Sequence, residues 1–424
     1  MQRPLLQRKA LRFGVAGPGL LFSNKSRRML QKLWSLAMQI RPKHFPRLSC
    51  LSILVTLLMS CGGGSSSSPT PPPNNDGSAQ APDPTPDFDE VDSAFQTFID
   101  ESEVFDGISY VIVDAQETLH TATFGDHTVD TVVLLASTSK VPAVMTLLAL
   151  EEDSESTFDM DQSIGEVLPF EGIYADRTPT QLVSNTSGIP GLRQLALYGP
   201  HLCQFTFNTS VTFEGCGEVL LSVPLPDSHD AGSIFDYGGS QWQLAGVTAA
   251  ISANATWNQL VDEYLGTPCQ LEVFTFGNMW EDLTLWDGSA ASLLGQSNPN
   301  IEGGAITNLA DYAKLLQVHL NGGFCGETRV LSETALSKMR EDRGGVVEKN
   351  PTPYGMGWWI STDNSGVYDD PGAFGSVSFV DTERGFAGYV AIDDYRRLDA
   401  DAPVRLVRGE IIPLLQAAFD AIAE

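Results

Sequence analysis

The chain reads as a mixed α/β domain of the α+β kind, with one antiparallel sheet assembled from distant segments around an inserted helical region. Two observations predict it. Strand-like runs lie near both ends of the folded part, at Ile108 to Asp114 and Thr118 to Phe124, then at Gly355 to Ser361, Ser376 to Asp381 and Phe386 to Ile392. Between them, from about 165 to 290, the chain is loop-rich and mostly helical, so the sheet recruits its strands across that insertion.

The elements follow in order. Phe88, Val91, Phe95, Phe98 and Ile99 recur at helical spacing and predict an amphipathic first helix. The runs 108–114 and 118–124 form a hairpin. An apolar helix then starts at Leu134-Leu135-Ala136-Ser137-Thr138-Ser139-Lys140, and Pro142 is expected to tighten or kink it. Thr178 to Val183 and Gln241 to Ile251 are helical pieces of the insert. Asn308 to Asn321 is an amphipathic helix ended by Gly322-Gly323, and Val404 to Ala423 is a closing helix. No internal repeat is evident.

The N-terminus reads as an address. Residues 1–60 hold eleven Lys and Arg and no Asp or Glu, and end in the apolar run Leu51 to Met59, too short to span a membrane as a stable helix. Leu58-Met59-Ser60-Cys61 resembles the lipobox of bacterial lipoproteins, and Met38 to Cys61 alone has the proportions of such a signal. That resemblance implies lipidation of Cys61 and a lipid-anchored place in the bacterial cell envelope, facing the periplasm or exposed at the surface. Residues 61–87 are a Gly/Ser/Pro-rich tether, which leaves 88–424 as the folded domain.

Without the leader, fourteen Lys and Arg face 53 Asp and Glu, a formal charge of −39. This excludes nucleic acid as a partner and leaves the N-terminal lipid as the only membrane contact. Cys203, Cys216, Cys269 and Cys325 remain, an even set expected to form two disulfides in an oxidising compartment. The pairing Cys203–Cys216 and Cys269–Cys325 is favoured among the three possible.

Lys140 carries the chemistry. It is the only Lys with a Ser three positions before it, and it lies in an apolar segment. On a helix, Ser137 and Lys140 share one face, and burial lowers a Lys pKa, so a neutral amine can take the hydroxyl proton. The bland alternative is that Lys140 snorkels to water while Ser137 caps the helix. A nucleophile also needs a second proton-handling group and oxyanion donors. Tyr237, in Phe235-Asp236-Tyr237-Gly238-Gly239-Ser240, offers the first. Gly372-Ala373-Phe374-Gly375, entering a strand, lets the backbone N–H groups of Ser137 and Ala373 form an oxyanion hole. Taken singly, these read as a packed Tyr and a turn.

Together they resemble the serine β-lactamase and penicillin-binding-protein-like hydrolases, through Ser137-Thr138-Ser139-Lys140. Further landmarks follow in the family's order: Thr178 to Gly191, Tyr237, Gly303-Gly304-Ala305 through Asp311, Tyr354 to Trp359, and Gly372 to Asp381. The resemblance implies a five-stranded antiparallel sheet with flanking helices and a helical subdomain. Ser137 would be acylated, with Lys140 and Tyr237 as base and acid. Gly239, Asp370, Gly372, Phe374 and Trp358 are the residues expected at the substrate. No metal or organic cofactor is implied.

Two departures stand out. Tyr237-Gly238-Gly239 replaces Tyr-x-Asn, losing an amide that grips a substrate carbonyl. Asp370-Pro371-Gly372 replaces Lys-Thr-Gly, losing the cation that holds a substrate carboxylate and putting a repelling charge in its place. These favour the esterase-like branch, near class C β-lactamases and family VIII esterases, acting on a small ester or peptide. A D-amino-acid peptidase or penicillin-binding protein/β-lactamase, and a catalytically silent cell-wall-binding lipoprotein, remain alternatives. Other serine hydrolase plans fit worse: there is no Gly-x-Ser-x-Gly elbow, and none of the six His lies in a triad motif.

Overall fold

The computed structural model describes residues 85–192, 198–208, 210–395 and 399–423; the leader, Cys61 and the tether up to residue 84 lie outside them. A helix, α1 (Asp89–Asp100), precedes the hairpin β1 (Gly107–Val113) and β2 (Thr118–Gly125). Two short strands, β3 (Val133–Leu134) and β4 (Thr275–Phe276), pair with β5 (Ala305–Thr307) in a small separate sheet. A hairpin, β6 (Phe324–Cys325) and β7 (Thr328–Arg329), follows. The chain returns to the main sheet with β8 (Trp359–Ile360), β9 (Val367–Pro371), β10 (Val377–Asp381) and β11 (Phe386–Ala391).

The main sheet has the order β2-β1-β11-β10-β9-β8, antiparallel throughout, so its two halves come from opposite ends of the domain. Register places Tyr110 opposite Val390 and Phe379 opposite Gly388. The sheet has six strands, not five, because β9 joins the five expected runs, while the expected strand Gly355 to Ser361 shrinks to the two residues of β8 at the outer edge. Strand alternation divides the apolar residues between two layers. Ile108, Tyr110, Ile112, Phe379 and Val390 face α1 and the closing helices, whereas Val111, Val113, Tyr389 and Ala391 belong to the larger core that includes the helical insert.

Among the helices, α2 (Lys140–Glu152) is buried along nearly its whole length, and α3 (Ser240–Ala253) runs buried through the insert. The helix α4 (Leu309–Leu320) begins at an Asn308 cap whose side chain accepts from Asp311 N, and its Tyr312 stacks on Tyr389 of β11. The closing helix is interrupted: Asp401–Leu406 passes through a wider turn at Val407–Ile411 into α5 (Ile412–Ala423). No described helix is long and apolar enough to cross a membrane.

Both expected disulfides are present, with Cα separations of 5.5 Å for Cys203–Cys216 and 5.1 Å for Cys269–Cys325. The first closes a loop of 13 residues and the second a loop of 56. Restricting the unfolded chain stabilises more when the loop is longer, by about 1.3 kcal/mol for this pair of lengths. Replacing Cys269 and Cys325 by Ser is therefore expected to lower the denaturant midpoint further than replacing Cys203 and Cys216. Guanidinium melts of the two double variants check it.

Candidate active site

Ser137 does not sit on a regular α-helix. A single tight turn, Ala136–Ser139, carries it, and α2 begins only at Lys140. Pro142 therefore falls in the first turn of α2, where its missing N–H has no helical partner to lose, and no kink is needed. Ala136 takes a left-handed conformation, φ 48°, costing about 1–3 kcal/mol and turning the chain sharply before Ser137.

The turn is held from several sides. Leu135 N donates to Ala305 O at 2.9 Å and Ala305 N donates to Ser139 Oγ at 3.0 Å, locking β5 to it. Tyr312 Oη donates to Thr138 O at 2.9 Å. Thr138 Oγ1 reaches the carbonyls of Asp370 and Ser376, at 3.1 and 3.2 Å, stitching the β9–β10 turn against Ser137. A Cβ on Gly372 would lie 2.2 Å from Leu135 O, so only glycine permits this approach. Gly375 N closes the turn on Gly372 O at 3.0 Å, which puts partly exposed Ala373 at its first corner.

Lys140 is fully buried, and its Nζ lies 3.1 Å from the Oγ of partly exposed Ser137. Nζ donates to Glu302 O at 2.7 Å, lies 3.7 Å from Glu302 Oε2, and sits 4.9 and 5.2 Å from the ring centres of Tyr237 and Trp242. Burial pushes the Lys140 amine down, while Glu302 and Asp370 pull it back up. The amine is thus held within hydrogen-bond reach of the Ser137 hydroxyl. Burial drives the Tyr237 phenol well above its ordinary value, and the Ser137 hydroxyl, aimed at it, opposes that rise.

Tyr237 is aimed by Asn185. Asn185 Oδ1 accepts from Gly238 N at 2.9 Å, Trp242 Nε1 at 2.8 Å and Gln241 Nε2 at 3.3 Å, fixing the turn that bears the phenol to the start of α3. Trp359 packs against Tyr237 from the other side at 4.9 Å between centroids. The structure therefore brings Ser137, Lys140 and Tyr237 together, and Thr138 ties the turn that carries Ala373 to the Ser137 turn.

Four other placements differ from expectation. Trp358 is fully buried against His319, 5.2 Å between centroids, and its neighbour Trp359 is the tryptophan at Tyr237, since successive residues at a strand edge face opposite ways. Asp370 is fully buried beneath α2, taking Val141 N at 3.4 Å, while Asp369 on the opposite face pairs with Arg408 at 2.6 and 2.7 Å. Burial pushes the Asp370 carboxyl well above the carboxylate range, and its position beneath α2 turns it away from a ligand. Gly239 is buried too, and its N–H is taken by Glu302 Oε2 at 2.6 Å. Phe374 is buried against Trp280, whose Nε1 donates to Gly303 O at 3.2 Å. It backs the Ala373 corner.

With this geometry established, comparison with known proteins decides the family. The family model for Beta-lactamase matches residues 91–406. The chain belongs to the Beta-lactamase family. Solved structures of similar fold include EstCE1, described as a hydrolase with promiscuous acyltransferase activity, at 16% identity and TM-score 0.62, covering 78% of this chain and 97% of that one. A family VIII carboxylesterase matches at 18% identity and TM-score 0.57, covering 78% and 97%. The octameric penicillin-binding protein homologue from Pyrococcus abyssi matches at 15% identity and TM-score 0.58, covering 76% and 78%. No curated protein matches in sequence. Members of this family are serine hydrolases, and the chain is accordingly a hydrolase of that general kind.

Glu302 was not legible as a site residue: it is one Glu before a Gly pair, and only folding brings it to Lys140. Its companion constraint is Tyr198, whose hydroxyl donates to Pro190 O and would lie 1.7 Å from a Cβ on Gly239. Gly239→Ala is therefore expected to cut turnover by tenfold or more, on the order of the effect of displacing a positioned group. Adding Tyr198→Phe, which removes the nearest atom, is expected to recover part of it. Kinetics of the single and double variants check this.

Proposed function

We propose that the protein is an esterase-like serine hydrolase that works through an acyl-enzyme on Ser137. The observation that carries the reading is the buried Lys140 amine 3.1 Å from a partly exposed Ser137 hydroxyl. Lys140 accepts the hydroxyl proton as Ser137 Oγ bonds to the substrate carbonyl carbon. The N–H groups of Ser137 and Ala373 hold the oxyanion. Tyr237, facing Ser137, gives a proton to the leaving alcohol and takes back the one held by the Lys140 ammonium, and the C–O bond to the alcohol breaks. Water then attacks the acyl carbon under the same groups and releases the acid.

Two features favour esters over β-lactams or peptides with a free C-terminus. Position 239 has no amide to grip a substrate amide, and its own N–H is engaged by Glu302. Position 370 supplies no cation for a substrate carboxylate, because an inward-turned Asp stands there. The expected substrate is a small uncharged ester.

A panel of p-nitrophenyl esters, D-Ala-D-Ala peptides and nitrocefin is the test, run with the full chain and its Ser137→Ala variant. Esters are expected to turn over fastest, and the variant to lose roughly a thousandfold or more. Unchanged ester turnover in the variant would remove Ser137 from the mechanism. Preference for D-peptides or nitrocefin would move the protein to the peptidase or β-lactamase branch.

A further inference from the structure

Glu302 is a buried acid that the acyl-transfer scheme does not use, and it touches the base of that scheme. Its Oε2 lies between Lys140 Nζ, at 3.7 Å, and Gly239 N, at 2.6 Å. Its Oε1 is buried without a hydrogen-bond partner, and its main-chain carbonyl takes the Lys140 N–H at 2.7 Å. One residue therefore contacts the amine through backbone and side chain together. A carboxyl left half unpaired in the interior carries a large desolvation cost. Nothing in the packing of this loop requires an acid, since Gly239 N could donate to a neutral amide oxygen as well.

Resting on the acyl-enzyme reading above, we propose that Glu302 is a positioning residue that sets the basicity of Lys140, holding its proton affinity up against burial so that the amine can take the Ser137 proton. Geometry supports the assignment from three directions. The carbonyl contact engages one N–H of the amine, the carboxylate attracts a second, and the remaining direction is open to Ser137 Oγ. The same carboxylate holds Gly239 and hence the turn that carries Tyr237, so base and acid share one anchor.

Other groups facing Lys140 are accounted for. From its own turn comes neutral Ser137, and from α3 the uncharged ring of Trp242. Tyr237 approaches from the turn before α3. From β9 comes Asp370, which also pulls the amine up. Burial pushes the carboxyls of both Asp370 and Glu302 above the usual range, Lys140 opposes that rise in each, and Arg408 acts on Tyr237 from beyond the Asp369 pair. Tyr198 and Tyr354 lie near Glu302 and Tyr237 as buried phenols raised well above neutrality. Glu302 is thus the group whose charge acts on the amine at closest range.

The proton count is simple. During attack the Ser137 O–H bond breaks, its proton moves to Nζ, and the O–C bond to the acyl carbon forms; the ammonium so made is then paired with Glu302. Removing that charge lowers the pKa of the buried amine. The amine would then stay deprotonated to lower pH while being a weaker base.

The test is the pH dependence of p-nitrophenyl butyrate kcat/KM and of fluorophosphonate labelling of Ser137, in wild type, Glu302→Gln and Glu302→Asp. Glu302→Gln is expected to move the acid limb down by about one to three pH units. It should also lower the plateau by about three- to tenfold. Glu302→Asp, which keeps a carboxylate one methylene further away, should move the limb the same way by less. Should Glu302→Gln fail to fold by circular dichroism, Glu302→Asp alone decides. An acid limb that stays in place, or a loss of rate with no shift, overturns the proposal in favour of a merely structural Glu302. Labelling abolished by Ser137→Ala with an unmoved limb would leave the acyl-enzyme reading intact while ending this one, and labelling unaffected by Ser137→Ala would end both.

Discussion

The structure turns on the burial of one amine. Lys140 is fully enclosed, and an isolated ammonium there would be strongly disfavoured. Its environment is correspondingly specific: a main-chain carbonyl, a serine hydroxyl, two aromatic faces and one carboxylate at 3.7 Å. They come from three parts of the chain: the Ser137 turn, Glu302, which supplies both carbonyl and carboxylate, and the segment from Tyr237 to Trp242. The fold must therefore bring the Ser137 turn, the loop before β5, the Tyr237 turn and α3 together before Lys140 has an acceptable place. Folding of the two layers and assembly of the site are the same event.

The small sheet is the means. Its strands have two or three residues each, yet β5 joins β3 directly ahead of the Ser137 turn, and Ala305 makes one bond to that turn in each direction. Since Glu302 lies three residues before Ala305, the register that seats Ala305 also seats Glu302. A slip of one residue would turn its side chain away from Lys140. The larger sheet acts on the opposite side, through Thr138 and the β9–β10 turn.

Legibility in the sequence followed pattern length. The hairpin, α1, α4, β10 and β11 repeat their apolar residues often enough for the period to speak, and each was read within a residue or two. The grouping of Ser137, Lys140 and Tyr237 was also readable, because Ser-x-x-Lys and Tyr237 stand in a familiar order. β9 was not. Val367-Tyr368-Asp369-Asp370-Pro371 carries two acids and a proline, residues that strands disfavour; Arg408 pairs with Asp369 and the start of α2 receives Asp370, and both partners are tertiary. β3, β4 and β5 are too short to show alternation. Trp358 and Trp359 cannot be told apart without the strand's orientation, and nothing local distinguishes Glu302 from the chain's many other acids.

The pairing of Gly239 with Glu302 ties these points to chemistry. A side chain at 239 is excluded by Tyr198, so the site lacks the amide that a Tyr-x-Asn motif would offer to a substrate. Glu302 reaches both the Gly239 N–H and Lys140 from another loop. On the proposed reading, a neutral group facing the substrate is exchanged for an acid facing the base. Such an exchange weakens grip on an amide bond and leaves proton transfer at Ser137 well served. An ester, whose alcohol leaves more readily than an amine and whose carbonyl is held by the oxyanion donors, loses little by it. On the proposed reading, substrate class and base strength follow from the same packing constraint around residue 239.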